Sequence, residues 1–155
     1  MNKVFAVLGL LSVLCFGACS DDEDPTYYVY ATVDGEKVDW KGVQVNAVSV
    51  DTAGTMVIEA LKTPGITNVQ QLTLTLDNFD GENTYPVDLI TKTLGAYVYK
   101  GTSSNTTGLS YSGEIIVTSY DGEIIEGTFD LTLKAGNEGS DIEITDGSFR
   151  AKVRL

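Results

Sequence analysis

The chain has 155 residues, with 22 acidic and 10 basic side chains and no histidine, which gives a formal charge of -12. This length allows one ordinary domain. Because binding to a phosphate backbone needs clustered Lys and Arg, the charge balance disfavours a nucleic-acid partner. The lack of histidine excludes Ser-His-Asp and Cys-His catalysis and the usual histidine-containing zinc sites.

The N-terminus has the pattern of an export signal. A polar start containing Lys3 precedes an apolar run at 4–16, which is shorter than the ~20 residues of a membrane-spanning helix. The sequence FGAC at 16–19 follows and resembles the lipobox of bacterial lipoproteins, in which the cysteine is acylated. We therefore predict a lipoprotein signal peptide at 1–18 and a lipid on Cys19. The alternative is an ordinary signal peptide that leaves a free thiol.

An acidic tether at 19–26 follows the predicted lipid site. Its four consecutive acids, at 21–24, cannot bury themselves, and their mutual repulsion keeps the segment extended. The segment resembles the acidic export signal of Bacteroidota lipoproteins displayed on the cell surface. The resemblance implies an outer-membrane protein held by its lipid on the cell-surface side, with a periplasm-facing lipoprotein as the alternative.

From residue 27 onward, apolar and polar residues alternate, as in Leu72-Thr73-Leu74-Thr75-Leu76. This period of two is typical of half-buried strands, and Asp-Gly pairs between such runs indicate tight turns. The pattern predicts one all-β domain over 27–155. We expect an antiparallel β-sandwich or partly open barrel of about nine or ten short strands, with no substantial helix.

The alternation also predicts two hairpin registers. A two-residue turn at Asp34-Gly35 pairs Ala31 with Val38 and Val29 with Trp40, which gathers the apolar side chains on one face.

For the turn at Asp121-Gly122, a loop that also includes Glu123 pairs Ile115 with Phe129 and so keeps the apolar residues together. The same register pairs Val117 with Gly127.

Arg150, Lys152 and Arg154 form the main cluster of basic residues and share one predicted strand face. They could grip an anionic ligand such as a sulfated or uronic glycan. A two-residue turn at the Asp-Gly pair just before them would instead place Glu143 opposite Arg150 and Asp141 opposite Lys152. We favour these cross-strand ion pairs.

Tyrosines provide the remaining functional signal. Tyr97 and Tyr99 share a strand face, and Tyr111 follows across a predicted loop at 101–108, which is rich in Gly, Thr, Ser and Asn. Aromatic rings beside adaptable polar groups are typical of sugar or partner sites. We name these three tyrosines as candidate ligand-binding residues, although Tyr is also simply a good strand former.

No catalytic or metal-binding constellation stands out. The acids beyond the tether are scattered singly, so the paired carboxylates of a glycosidase are not indicated. The acidic segment 77–83 departs from the EF-hand pattern, because Phe79 occupies a ligand position and its Gly comes one residue early. We expect no enzyme activity, no cofactor and no metal.

Asp51-Thr52-Ala53 resembles the O-glycosylation sequon of Bacteroidota exported proteins, which makes Thr52 a candidate glycan site.

The order of short motifs along the chain resembles a family of small Bacteroidota lipoproteins with a domain of unknown function. The resemblance implies an all-β domain at the cell envelope and supplies no catalytic residues. The expected function is a lipid-anchored, non-catalytic binding or adhesion module for glycan or protein. The alternative is a structural or accessory subunit of an outer-membrane complex. Beyond the lipobox and tether, the motifs are Ala31-Thr32-Val33-Asp34-Gly35, Trp40, Asn83-Thr84-Tyr85, Ser112-Gly113-Glu114-Ile115, Glu126-Gly127-Thr128-Phe129 and Ile144-Thr145-Asp146-Gly147-Ser148-Phe149.

Overall fold

A computed structural model describes residues 26–42, 45–50, 54–63, 68–102, 104–136 and 140–154. These ranges form ten strands and no α-helix, which confirms the predicted all-β class and strand number. The signal peptide, Cys19, nearly all of the tether and Thr52 lie outside the described residues. The strands are β1 (Tyr28–Val33), β2 (Glu36–Lys41), β3 (Val45–Val50), β4 (Thr55–Lys62), β5 (Val69–Leu76), β6 (Asn83–Pro86), β7 (Leu94–Lys100), β8 (Asn105–Tyr120), β9 (Ile124–Ala135) and β10 (Ile142–Arg154).

Seven strands close into a barrel in the order β10-β3-β4-β5-β7-β8-β9, with β9 pairing back to β10. Of the two expected architectures, the sandwich is therefore wrong, and the barrel is closed and not partly open, because backbone pairing runs around the whole cycle and leaves no free edge within it. The antiparallel expectation also fails at one place, since β10 pairs with β3 in parallel. No helix in the described ranges is long and apolar enough to cross a membrane.

The remaining strands are added to this cycle. β6 pairs with β8, and the β1–β2 hairpin pairs with β10 through β1. Along the same edge of β10, β1 pairs with the residues from Ile144 to Arg150, and β3 takes over at Lys152. We call the end that holds the β1–β2 turn the lower end, and the end that holds the β8–β9 turn the upper end. The hairpin therefore stands in the barrel wall at the lower end only.

The predicted registers of the β1–β2 and β8–β9 hairpins are confirmed. In β1–β2, Val29 lies opposite Trp40 and Ala31 opposite Val38. The turn at Asp34 and Gly35 has φ of 48° and 85°, as a two-residue turn of the mirror-image type requires. In β8–β9, the pairs Ile115–Phe129 and Val117–Gly127 form as expected.

The predicted turn at Asp146-Gly147 is wrong. β10 runs through these residues without reversing, and its register against β9 shifts between Ile144 and Gly147, which marks a β-bulge. Asp146 has the positive φ of 52° that the Asp-Gly pair indicates, but this conformation forms the bulge and not a turn. Gly147 is needed because a Cβ there would collide with the backbone oxygen and the ring of Phe129.

The ion pairs predicted from that turn are consequently also wrong. Since β10 does not fold back on itself, Arg150 pairs instead with Glu126 on β9. Asp141 pairs with Lys134, with its Oδ1 2.9 Å from Nζ. Arg150 Nε also donates to the carbonyl oxygen of Thr26 at 3.1 Å, so this cation is occupied by protein groups.

The core fills the barrel interior. The alternating apolar residues of the strands point inward as predicted, and Phe129 and Phe149 meet there with their ring centroids 6.4 Å apart. Trp40 reaches the same core from the hairpin and is fully buried. Burial of such side chains is the main stabilising contribution to a domain of this size. The largest fully buried side chains are Trp40, Phe129, Phe149, Met56, Ile58, Leu72, Leu74, Leu76, Ile115, Ile125, Leu133 and Ile144.

Candidate functional site

A cavity of about 360 Å³ opens at the lower end, between the β1–β2 hairpin and strands β5, β7 and β8. We call it the lower-end pocket. It lies where the hairpin stands in the wall, because β2 forms no backbone ladder with β4 or β5 there. Its lining residues are Val33, Asp34, Glu36, Val38, Gln70, Tyr97, Tyr99, Thr106 and Ile142.

Side chains, and not a backbone ladder, hold β2 against β4 and β5. The indole Nε1 of Trp40 donates to the carbonyl oxygen of Gln70 at 3.1 Å. Lys62 Nζ lies 2.8 Å from Asp39 Oδ1, and Lys41 Nζ lies 3.1 Å from the other carboxylate oxygen. Hydrogen bonds from Lys62 and Lys41 lower the pKa of Asp39 below its usual value. We call these contacts the seam.

Tyr97 is fixed in the wall of the pocket. Its side chain is only 5% exposed, and its hydroxyl accepts a hydrogen bond from Gln70 Nε2 at 2.9 Å. Burial raises the pKa of the Tyr97 phenol, and the Gln70 hydrogen bond opposes that effect. Gln70 therefore connects the seam to the pocket: its backbone carbonyl accepts from Trp40, and its side-chain amide donates to Tyr97.

Tyr99 lies two residues further along β7, on the same face, and is half-buried. It pairs with Thr106 on β8, whose side chain also lines the pocket. Its ring lies over Gly101, where a Cβ would come within 2.8 Å of the Tyr99 hydroxyl oxygen. Because Gly101 has no side chain, the Tyr99 ring can occupy this space.

The pocket has an apolar floor and an acidic rim. Val33 and Ile142 are buried and Val38 is half-buried, whereas Asp34 and Glu36 are exposed. Asp34 Oδ1 accepts the backbone N–H of Glu143 at 2.8 Å, which attaches the hairpin turn to β10. Within the part of the chain that the structure describes, neither Asp34 nor Glu36 forms an ion pair, and the lining contains no Lys or Arg.

The structure separates Tyr111 from the other two candidate tyrosines. Tyr97 lies opposite Gly108, and directly paired residues share a face, so Gly108 and Ser110 point inward and Tyr111 points outward. Tyr111 is 46% exposed, and its hydroxyl donates to Asp141 Oδ2 at 2.7 Å. The single patch of three tyrosines expected from the sequence is therefore not formed, because Tyr97 and Tyr99 share the pocket and Tyr111 lies outside it.

Sequence reasoning missed the other pocket residues. The sequence indicates Asp34 only as a turn residue and Glu36 and Gln70 only as strand residues. The predicted loop at 101–108 is wrong over its second half, because Thr106 lies in β8 and pairs with Tyr99. The confirmed register of β1–β2 does place Val33 and Val38 toward the interior, but no pattern within the sequence shows that this hairpin faces β5 and β7.

The acidic segment 77–83 forms a structural turn. The Tyr85 hydroxyl lies 2.8 Å from both Asp80 Oδ1 and the carbonyl oxygen of Gly81. Burial raises the pKa of Tyr85 to about 12. The described ranges contain no group of three or more side chains that could hold a metal ion.

Residues 26–152 match the family described as a domain of unknown function (DUF6252). The chain belongs to this family. The match includes all ten strands except the last residues of β10, so the family model covers nearly the whole barrel domain. No curated protein and no solved structure matches the chain.

Proposed function

We propose that the protein is a lipid-anchored lipoprotein of the cell envelope, whose barrel is a non-catalytic binding module for glycan or protein. The lower-end pocket is its ligand site. The observation that supports this most directly is the meeting of Tyr97 and Tyr99 with Gln70 and two rim carboxylates in one cavity. Concave sites with an apolar lining and a few convergent polar groups are the usual ligand sites of proteins.

The direction of β1 supports this use of the pocket. β1 runs from Tyr28, opposite Arg150, down to Val33 at the pocket, so the chain enters the barrel from the side away from the pocket. A lipid on Cys19 would be joined to Thr26 by a segment of at most roughly 25 Å in extended form. The pocket would then face away from the membrane, toward soluble partners.

The anchor and the export signal can be tested separately. Cys19→Ala should abolish lipid labelling and release the protein from outer membranes. Replacing the four acids at 21–24 by Ala should keep the lipid and abolish antibody labelling of intact cells. Unchanged surface labelling would contradict the export signal and favour the periplasm-facing orientation.

The binding role is tested with matched tyrosine variants of the full-length protein. Tyr99→Ala removes a ring from the pocket, whereas Tyr111→Ala removes a ring from the outer face of the same wall. The variants are compared on a glycan array and by crosslinking to envelope proteins in intact cells. We expect the binding seen for the wild type to fall at least several-fold for Tyr99→Ala and to persist for Tyr111→Ala. Equal behaviour of the two variants would refute the pocket as the site.

One surface favours an accessory role in an outer-membrane complex as a second candidate. Leu89 and Ile90, in the segment between β6 and β7, are 56% and 89% exposed and adjacent. Exposed apolar side chains of this kind are typical of contacts with another protein. Replacing both by Ser should abolish crosslinking to an envelope partner if this role is correct, and should leave ligand binding at the pocket unchanged.

A further inference from the structure

We propose that the lower-end pocket receives a basic side chain of a partner protein, with the aliphatic stem on the floor and the cationic group at the acidic rim. This inference rests on the proposed function of the pocket as a ligand site. It narrows the ligand from glycan or protein to a protein that presents a lysine-like side chain.

The floor of the pocket suits an aliphatic stem. Val33, Val38 and Ile142 present only apolar side chains to the cavity. The methylene groups of a lysine gain from leaving water against such a surface while the charged end stays at the opening. A sugar can pack its C–H face on such a surface, but its hydroxyl groups lie around the ring edge, and these three side chains supply none of the hydrogen bonds that the hydroxyls lose on leaving water.

The rim supplies charge of the opposite sign to a basic group. Asp34 and Glu36 both lie at the opening, and one oxygen of Asp34 remains after its bond to Glu143. Among the described residues, no Lys or Arg lines the cavity or forms an ion pair with either carboxylate, and Lys37 alternates to the outer face of β2. Because like charges repel, the same rim disfavours sulfated or uronic glycans.

The walls add two further features that favour a cation. Tyr97 and Tyr99 line the cavity, and the face of a tyrosine ring attracts an ammonium or guanidinium group that comes within about 6 Å of its centre. Gln70 holds the Tyr97 hydroxyl in place at 2.9 Å, so this ring does not have to be ordered when a ligand enters. A short alkyl chain that ends in a positive charge would therefore contact apolar side chains at the floor, tyrosine rings at the walls and carboxylates at the rim.

The test uses two small probes of the same shape, n-butylammonium and 1-butanol, on the full-length protein in detergent. Tyrosine-ring NMR signals report binding, with Tyr97 and Tyr99 assigned from their Phe variants. We expect butylammonium to shift these two rings and to bind several-fold more tightly than butanol. Raising the salt concentration should reduce the difference, since screening weakens exposed charge pairs.

Carboxylate variants show whether the rim is responsible. Glu36→Gln and Asp34→Asn should each weaken butylammonium binding roughly two- to five-fold, as expected for partly exposed ion pairs. Glu114→Gln, an exposed acid outside the pocket lining, is the matched control and should have no effect. Asp34→Asn keeps an oxygen for the bond to Glu143 and a residue that tolerates positive φ, so the hairpin should survive.

The outcomes separate the inference from the proposed function. If butanol or a neutral oligosaccharide binds as tightly as butylammonium and shifts the same rings, the cationic class is wrong and the pocket remains a ligand site. If no probe, glycan or envelope protein shifts Tyr97 or Tyr99, the proposed function of the pocket is itself wrong.

Discussion

The upper and lower ends of this barrel are closed by different kinds of interaction. At the upper end, β10 pairs with β3 and β9, and the backbone ladders continue from strand to strand around the buried side chain of Ile125. At the lower end, the β1–β2 hairpin enters the wall, and Trp40 and Lys62 hold it across the seam. A backbone ladder sets neighbouring strands at a spacing of about 4.8 Å, whereas a contact through side chains keeps them further apart.

This difference explains why the cavity lies at the lower end, although buried core residues such as Ile142 and Ile144 continue there. Where every strand pairs with its neighbours, the interior is narrow enough for side chains to fill it. At the lower end, β1 and β2 stand in the wall without pairing to β4 or β5. The interior is wider there, and Tyr97 and Tyr99 line the space that remains. Three variants, in decreasing order of expected effect, test this contrast.

The largest effect is expected from Ile125→Ala at the upper end. Ile125 is fully buried and lies opposite Ala151 on β10, so its truncation leaves a cavity that the surrounding ladder prevents from collapsing. The free energy of unfolding should fall by about 2–5 kcal/mol in urea denaturation. Leu109→Ala, at an exposed position on β8, is the control and should change it by less than ~0.5 kcal/mol. A loss as small as that of the control would show that the upper end is not tightly packed.

An intermediate effect is expected from Trp40→Phe at the seam. The ring is retained, but the hydrogen bond from Nε1 to the Gln70 oxygen is lost, and that oxygen is left without its partner. Stability should decrease by about 1–2 kcal/mol. Amide hydrogen exchange should accelerate in β2 and not in β9. We expect this pattern because the seam should open without unfolding of the upper barrel. Equal acceleration of exchange in β2 and β9 would contradict that expectation.

The smallest effect, and the only one that depends on pH, is expected from Asp39→Asn. Hydrogen bonds from Lys62 and Lys41 hold the pKa of Asp39 below its usual value of 3.8, so the folded state favours the charged form. The wild type should therefore exceed the variant in stability above about pH 4, and the difference should vanish as the pH falls through the lowered pKa. Because the groups are partly exposed, we expect about 0.5 kcal/mol or less, measured by urea denaturation at several pH values.

Much of the fold followed from local patterns. The Asp34-Gly35 turn and the alternation on either side of it fixed the β1–β2 register, because one slip would move Trp40 to the solvent face. The same reasoning gave the Ile115–Phe129 pair. Each of these predictions concerned two strands joined by a short loop, so few other pairings could compete.

The candidate site was harder to predict, because the sequence indicates only Tyr97 and Tyr99 of its lining as ligand-binding residues. Tyr111 was grouped with them because it follows in sequence, but the pairing of Tyr97 with Gly108 turns it to the outer face. At Asp146, positive φ was correctly indicated, but an Asp-Gly pair has the same appearance in a bulge as in a hairpin turn. Local conformation does not specify whether the chain reverses.

The sequence by itself determined the all-β class, the strand alternation, the tight turn at Asp34 and the acidic character, because each depends on residues near one another in the chain. Tertiary structure alone decided how the barrel closes and that Asp34, Gln70 and Tyr97 line one pocket. That pocket depends on β10 pairing with β1 below and β3 above along one edge. The choice between these partners is made by the packing of the whole barrel, so no short segment of sequence encodes it.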